Sequence, residues 1–107
     1  MKDYSAMSDY LINQHVAESL PGKYLYYADY IWDTEEEKKF EPTSSWADAG
    51  PIIAEQGISL LMYRRGKRKA YPASQGMLSP CEYQDENPLR SAMICYLIMK
   101  DAEKGHG

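Results

Sequence analysis

The feature that most constrains this chain is its last helix. Asn87 is a good helix cap and Pro88 follows at the first helical position, where a missing amide costs nothing. Leu89, Met93, Ile94, Tyr96, Leu97 and Ile98 come next. They cover much of the helix circumference rather than one stripe, so the helix must be surrounded. Lys100 to Lys104 form a polar exit and Gly105 ends it. A chain of 107 residues that surrounds one helix has room for a single core, so residues 1–107 read as one domain.

The preceding elements follow from periodicity and turn chemistry. Ser8 caps a helix from about Ser8 to Leu20, with Asp9 in its first turn and Pro21-Gly22 at its end. Leu11, Ile12, Val16 and Leu20 give it an apolar stripe, and His15 lies beside the stripe. Lys23 to Trp32 is aromatic and reads as one strand covered on both faces, with helix as the alternative. Asp33 to Glu41 carries five acids and two bases, the pattern of a solvated loop or helix edge. Pro42 to Gly57 holds a short helix that Ser44, Ser45 or Asp48 can cap. If Asp48 caps it, Pro51 falls in the first turn; if Ser45 caps it, Pro51 should kink it. Gly57 is suited to the left-handed position after the helix. Ile58 to Tyr71 reads as a hairpin turning at Arg65-Gly66-Lys67, and Pro72 to Asp85 as a loop. The sum is an α+β domain: a small antiparallel sheet, three helices, and the C-terminal helix buried.

Composition narrows the function classes. With 44% hydrophobic and 26% charged residues the chain is an ordinary globular one. No apolar run approaches the ~20 residues of a membrane span. Met1 to Leu20 lack the basic start and apolar centre of a signal peptide, so a cytoplasmic location is expected. A net charge of −4 argues against a dedicated nucleic-acid binder. Cys81 and Cys95 are read as free thiols without metal-site spacing, and His106 sits between terminal glycines. No nucleophile elbow, phosphate loop, zinc motif or paired acid motif is present. A non-enzymatic binding protein without metal or cofactor is the expectation.

Three features suit a ligand. Arg64 to Lys69 holds five bases in six residues, and Arg64 and Arg68 are candidate phosphate contacts. The competing reading is a charged turn that protects an edge strand. Asn87 to Arg90 opens a helix, where free amides and the dipole favour an anion and Arg90 could clamp it; Arg90 could equally pair with Asp85 or Glu86. The tyrosines and Trp46 offer planes for stacking, or simply core.

Two segments carry a resemblance. Glu41-Pro42-Thr43-Ser44-Ser45-Trp46-Ala47-Asp48-Ala49-Gly50-Pro51-Ile52-Ile53, followed by Gly57-Ile58-Ser59, resembles the central motif of the NinX-like phage proteins. Asn87-Pro88-Leu89-Arg90-Ser91-Ala92-Met93 resembles the start of their C-terminal helix. These are small proteins of tailed phages and prophages, mostly without an assigned function. Tyr24 to Lys38 and Arg64 to Lys69 match no signature of the family. The resemblance implies a phage or prophage origin and an accessory role, acting inside the bacterial host, and supplies no reaction. Ile52, Ile53, Leu89, Ala92 and Met93 are core candidates within these motifs. Trp46, Gly50 and the Asn87–Arg90 helix start are harder to explain by packing, and a site between the two helix starts is expected.

The leading functional expectation is counter-defence by sequestering a small anionic signal, such as a cyclic nucleotide or an ADP-ribose derivative. Trp46, Gly50, Arg64, Arg68, Asn87 and Arg90 are its candidate site. The alternative is a protein-binding inhibitor or adaptor acting on a host or phage protein through the acidic run or the tyrosine strand. A nucleic-acid binder using the basic hairpin is less favoured. A homodimer is expected at this size.

Overall fold

The computed structural model describes residues 3–62 and 66–105. Arg64, Arg65 and His106 lie outside them. The fold is α+β, with three helices and two three-stranded antiparallel sheets.

The chain opens with a 3-10 turn, Tyr4–Ala6. Tyr4 is buried, and its hydroxyl donates to the Asp101 carboxylate at 2.5 Å, tying the two ends of the chain together. Helix α1 spans Asp9–Ser19. As its sequence predicts, the Ser8 hydroxyl accepts from the Leu11 amide at 3.2 Å. Its buried side is Ile12, Asn13, Val16 and Ala17. Leu11 is exposed instead, because Asn13 takes an inward position to accept from the Thr43 amide at 3.1 Å.

The aromatic run from Lys23 to Trp32 is a hairpin, not one strand. β1 is Tyr24–Tyr26 and β2 is Ile31–Asp33, paired antiparallel with Leu25 opposite Trp32. The chain reverses at Ala28-Asp29, and the Tyr27 amide donates to the Tyr30 carbonyl at 2.9 Å. A small residue followed by Asp interrupts the aromatic pattern there, and Asp is a turn former. Asp33 is buried and its carboxylate accepts from the Glu35 and Glu36 amides, bending the acidic run into a turn. That turn leads into β3, Lys38–Lys39, which pairs with β2. The first sheet is therefore ordered β1-β2-β3.

Helix α2 spans Trp46–Gln56, and Ser45, not Asp48, is its cap. Pro51 therefore lies inside the helix. It is tolerated because it faces solvent, where the Ala47 carbonyl that lacks an amide partner can meet water. Gly57 ends the helix at φ 66°, in the left-handed region. β4, Ile58–Leu61, and β5, Arg68–Pro72, form the expected hairpin, with a longer connection than a three-residue turn. Within the expected loop, Tyr83–Asp85 forms a third strand, β6, beside β5.

Helix α3, Pro88–Gly105, lies against α1, α2 and all three strands of the second sheet. Every residue from Ser91 to Leu97 is buried. This is the surrounded helix that its apolar circumference predicts.

Candidate functional site

The two helix starts do meet. The Asn87 side-chain oxygen accepts from the Leu89 and Arg90 amides, at 2.9 and 3.3 Å, and so caps α3. Its amide nitrogen donates to the Thr43 carbonyl at 2.7 Å, just ahead of α2. Thr43 also donates to Asn13 and is 1% exposed. The junction of α1, α2 and α3 is thus closed by protein groups, and Asn87 spends its side chain on it.

Arg90 is turned inward as well. One nitrogen donates to Asp9 at 2.6 Å, another reaches the Met7 carbonyl at 2.7 Å, and its Nε lies 3.3 Å from the Asp85 carboxylate. The guanidinium therefore ties the N-terminal turn and β6 to the first turn of α3. The structural alternative for Arg90 is the arrangement observed. Arg68 donates to the Gly66 and Glu86 carbonyls, at 2.9 and 3.2 Å, and lies on the second sheet. Trp46 and Gly50 remain on the surface one helical turn apart. Trp46 is 55% exposed, and a Cβ added at Gly50 would meet nothing within 4 Å. The five candidate residues that the structure describes do not converge: two are internal ties, one braces the second sheet and two form an open face of α2; the sixth, Arg64, lies outside the described residues.

A different concavity stands beside that face. A cleft of about 510 Å³ opens between α2 and the first sheet. Leu20, Pro21, Tyr24, Phe40, Ala47, Pro51 and Ile52 give it apolar walls. Asp33, Glu35, Glu36, Asp48 and Glu55 line it with carboxylates, against Lys38 as the one base among its lining residues. Asp48 is neutralised within the fold: it pairs with Lys38 and accepts from the Glu41 amide at 2.8 Å. That contact also pushes the Lys38 ammonium up from its ordinary pKa, mainly through the hydrogen bond to Asp48. Glu35, Glu36 and Glu55 have no ion-pair partner among the described residues.

Tyr24 reports the resulting environment. Burial, and then the charges of Asp33 and Glu35, push its phenol up to about 12. It stays a neutral hydroxyl at physiological pH. Its ring packs on Phe40 with centroids 4.8 Å apart. Gly22 makes room for that ring: a Cβ there would sit 3.0 Å from the Tyr24 hydroxyl. The cleft therefore offers aromatic and aliphatic surface under a negative potential. Its acids come from two sources, and only the run after Asp33 stood out in the sequence. Glu55 gave no signal, because one Glu on a helix is ordinary.

The aromatic strand is equally open. Leu25, Tyr26 and Tyr27 are 48%, 44% and 45% exposed, so this segment is not covered on both faces. Tyr27 stacks on Tyr30 at 4.7 Å.

Among the described residues, no group of three or more His, Cys, Asp or Glu is placed to hold a metal ion. Cys81 and Cys95 are free and buried. Burial, with Cys81 and Glu82 nearby, pushes the Cys95 thiol up to about 12, so it is held as a thiol rather than a nucleophilic thiolate. His15 lies 3.8 Å from Glu18 and meets Tyr4 edge-on. No helix among the described residues is long and apolar enough to cross a membrane.

A search of curated proteins returns no match. The family model described as Bacteriophage P22, NinX matches residues 3–100, which include the cleft, the open face of α2 and the tyrosine strand.

Proposed function

The chain belongs to the Bacteriophage P22 NinX family, and on that premise we propose that it is a phage accessory protein that works by binding another protein in the host cytoplasm, without catalysis. One observation carries this reading. The acidic run and β1 fold into the same sheet, and with α2 they frame one solvent-open cleft of apolar walls and carboxylates, while Tyr26 beyond β1's Tyr24 and Trp46 beside α2's Ala47 are exposed just outside its lining. Exposed Tyr and Trp close to a concavity with apolar walls and a charged margin are the composition of protein-binding surfaces.

Sequestering a nucleotide signal draws less support from the same geometry. A phosphate entering the cleft would meet the carboxylates of Glu35, Glu36 and Glu55, unpaired among the described residues, and Arg90 has its donors in use within the fold. Such a ligand would need a site built around Trp46, Gly50 and the basic segment.

One experiment separates the two readings. A photo-crosslinking phenylalanine replaces Ala47 or Leu25, and the protein is irradiated in phage-infected host cells. Native mass spectrometry with cyclic nucleotides and ADP-ribose runs in parallel. The expected result is a single stoichiometric protein adduct and no retained nucleotide. A retained nucleotide without a protein adduct overturns the protein-binding reading. The same spectrum decides whether the chain is a homodimer.

A further inference from the structure

Resting on that reading, we infer that the outer edge of β1 is a docking edge for an extended, basic segment of the partner protein, which adds to the first sheet as a fourth strand. The main chain supplies the first observation. Thr34 donates to Lys23, and Tyr27 donates to Tyr30. Antiparallel pairing alternates, so Leu25 is the β1 residue bonded to β2, and the amides and carbonyls of Tyr24 and Tyr26 point away from it. β1 is terminal in its sheet. A natural edge is usually blunted by Lys, Pro or a bulge, yet β1 reads Tyr-Leu-Tyr. Two donors and two acceptors therefore face outward beside exposed Leu25 and Tyr26, the layout used for strand addition.

Charge selects the occupant. The cleft's lining runs from Tyr24 of β1 through the acidic turn to α2, and Glu35 and Glu36 on the turn and Glu55 across from them on α2 have no ion-pair partners among the described residues. A Lys or Arg side chain from an added strand would lay its aliphatic stem on the apolar wall and bring its charge to those acids. A second copy of this chain carries the same net −4 and is the poorer complement. An acidic segment is excluded by repulsion.

The test uses the whole chain and two hexapeptide probes, blocked at both ends: one alternates lysine with valine, the other glutamate with valine. Amide hydrogen exchange is read by NMR. Saturating basic peptide should slow exchange at Tyr24 and Tyr26 and leave Leu25 little changed, while the acidic peptide does neither. The combined variant Glu35→Gln, Glu36→Gln, Glu55→Gln should bind the basic peptide about tenfold more weakly and with less salt dependence. Tyr26→Pro removes an outward donor that β2 does not use; it should keep the far-ultraviolet spectrum and lose the protection at Tyr24. Equal effects of both peptides, or no slowing by the basic one, overturn the inference. So does protection that grows with protein concentration alone, which would make a second copy the occupant. If the peptide fails while the Ala47 crosslink still captures a protein, the edge proposal falls and the protein-binding reading stands. If neither binds, both fall.

Discussion

The two sheets of this protein are built alike and covered differently. Each has three short antiparallel strands. The second sheet lies against α3, which touches all three of its strands, and Ala70 in its centre is fully buried. The first sheet buries Ile31 on its middle strand and leaves Leu25 and Tyr26 of β1, with Tyr27 just after it, nearly half exposed. Tyrosine marks the contrast. Tyr96 is 1% exposed in α3 and shares a hydrogen bond with Ser19 at 2.6 Å, whereas Tyr26 is 44% exposed. The same side chain fills a core or offers a surface, according to whether an apolar layer lies over it. One half of the molecule buries its apolar surface in the core, and the other leaves some of it exposed.

The contrast can be broken at its strongest point first. Ile94 is fully buried in α3, so Ile94→Ala should cost about 2–5 kcal/mol in denaturant unfolding. A loss below about 1 kcal/mol would show that α3 is not the centre of the core. Alkali tests both halves through groups held protonated by the fold. Cys95 and Tyr24 each rise to about 12, from ordinary values of 9.0 and 10.0. Above its ordinary pKa each group loses its proton more readily in the unfolded chain. Their stabilisation is therefore complete below about pH 9 and is lost as pH climbs to about 12. Unfolding midpoints should fall across that window, and Cys95→Ala should remove the part that begins nearest pH 9; a flat profile would contradict the burial.

Arg90→Ala should cost about 2–3 kcal/mol, because it strips charge-assisted bonds from Asp9, Asp85 and the Met7 carbonyl. Calorimetry showing no loss would return Arg90 to the role of a free ligand clamp. The smallest effect should come from Leu25→Ser on β1, within about 0.5 kcal/mol, as for surface positions generally. A large loss there would mean that the first sheet is core after all.

Much of the local structure was readable. The Ser8 and Asn87 caps, the left-handed Gly57 and the buried α3 rest on short-range chemistry, and all four appear as their residues predict. The departures and the open choices fall where two local preferences were close. Lys23 to Trp32 has strand residues throughout, and only Ala28-Asp29 marks its reversal. Ser44, Ser45 and Asp48 could each cap α2; Ser45 does so, and the Asp48 carboxylate is occupied by Lys38 and the Glu41 amide. β6 needed β5 as a partner before three residues could count as a strand.

The candidate site shows the same division more sharply. Residue type alone made Arg90 and Asn87 good anion ligands, and the acidic run a solvated loop. Which groups remain free for a partner depends on neighbours distant in sequence. Asp9 lies 81 residues from Arg90, and Thr43 lies 44 from Asn87. By itself the sequence determined the family, the helix ends, the surrounded C-terminal helix and the acidic character of the segment after Asp33, since these follow from residue chemistry within a turn or two of the chain. Only the tertiary structure decided that Arg90 and Asn87 are spent on the fold, that the tyrosine strand has an open edge, and that Glu55 joins Glu35 and Glu36 across a cleft. Hydrogen-bond satisfaction and solvent exposure are properties of what packs against a residue, and packing is settled by contacts that no local pattern contains.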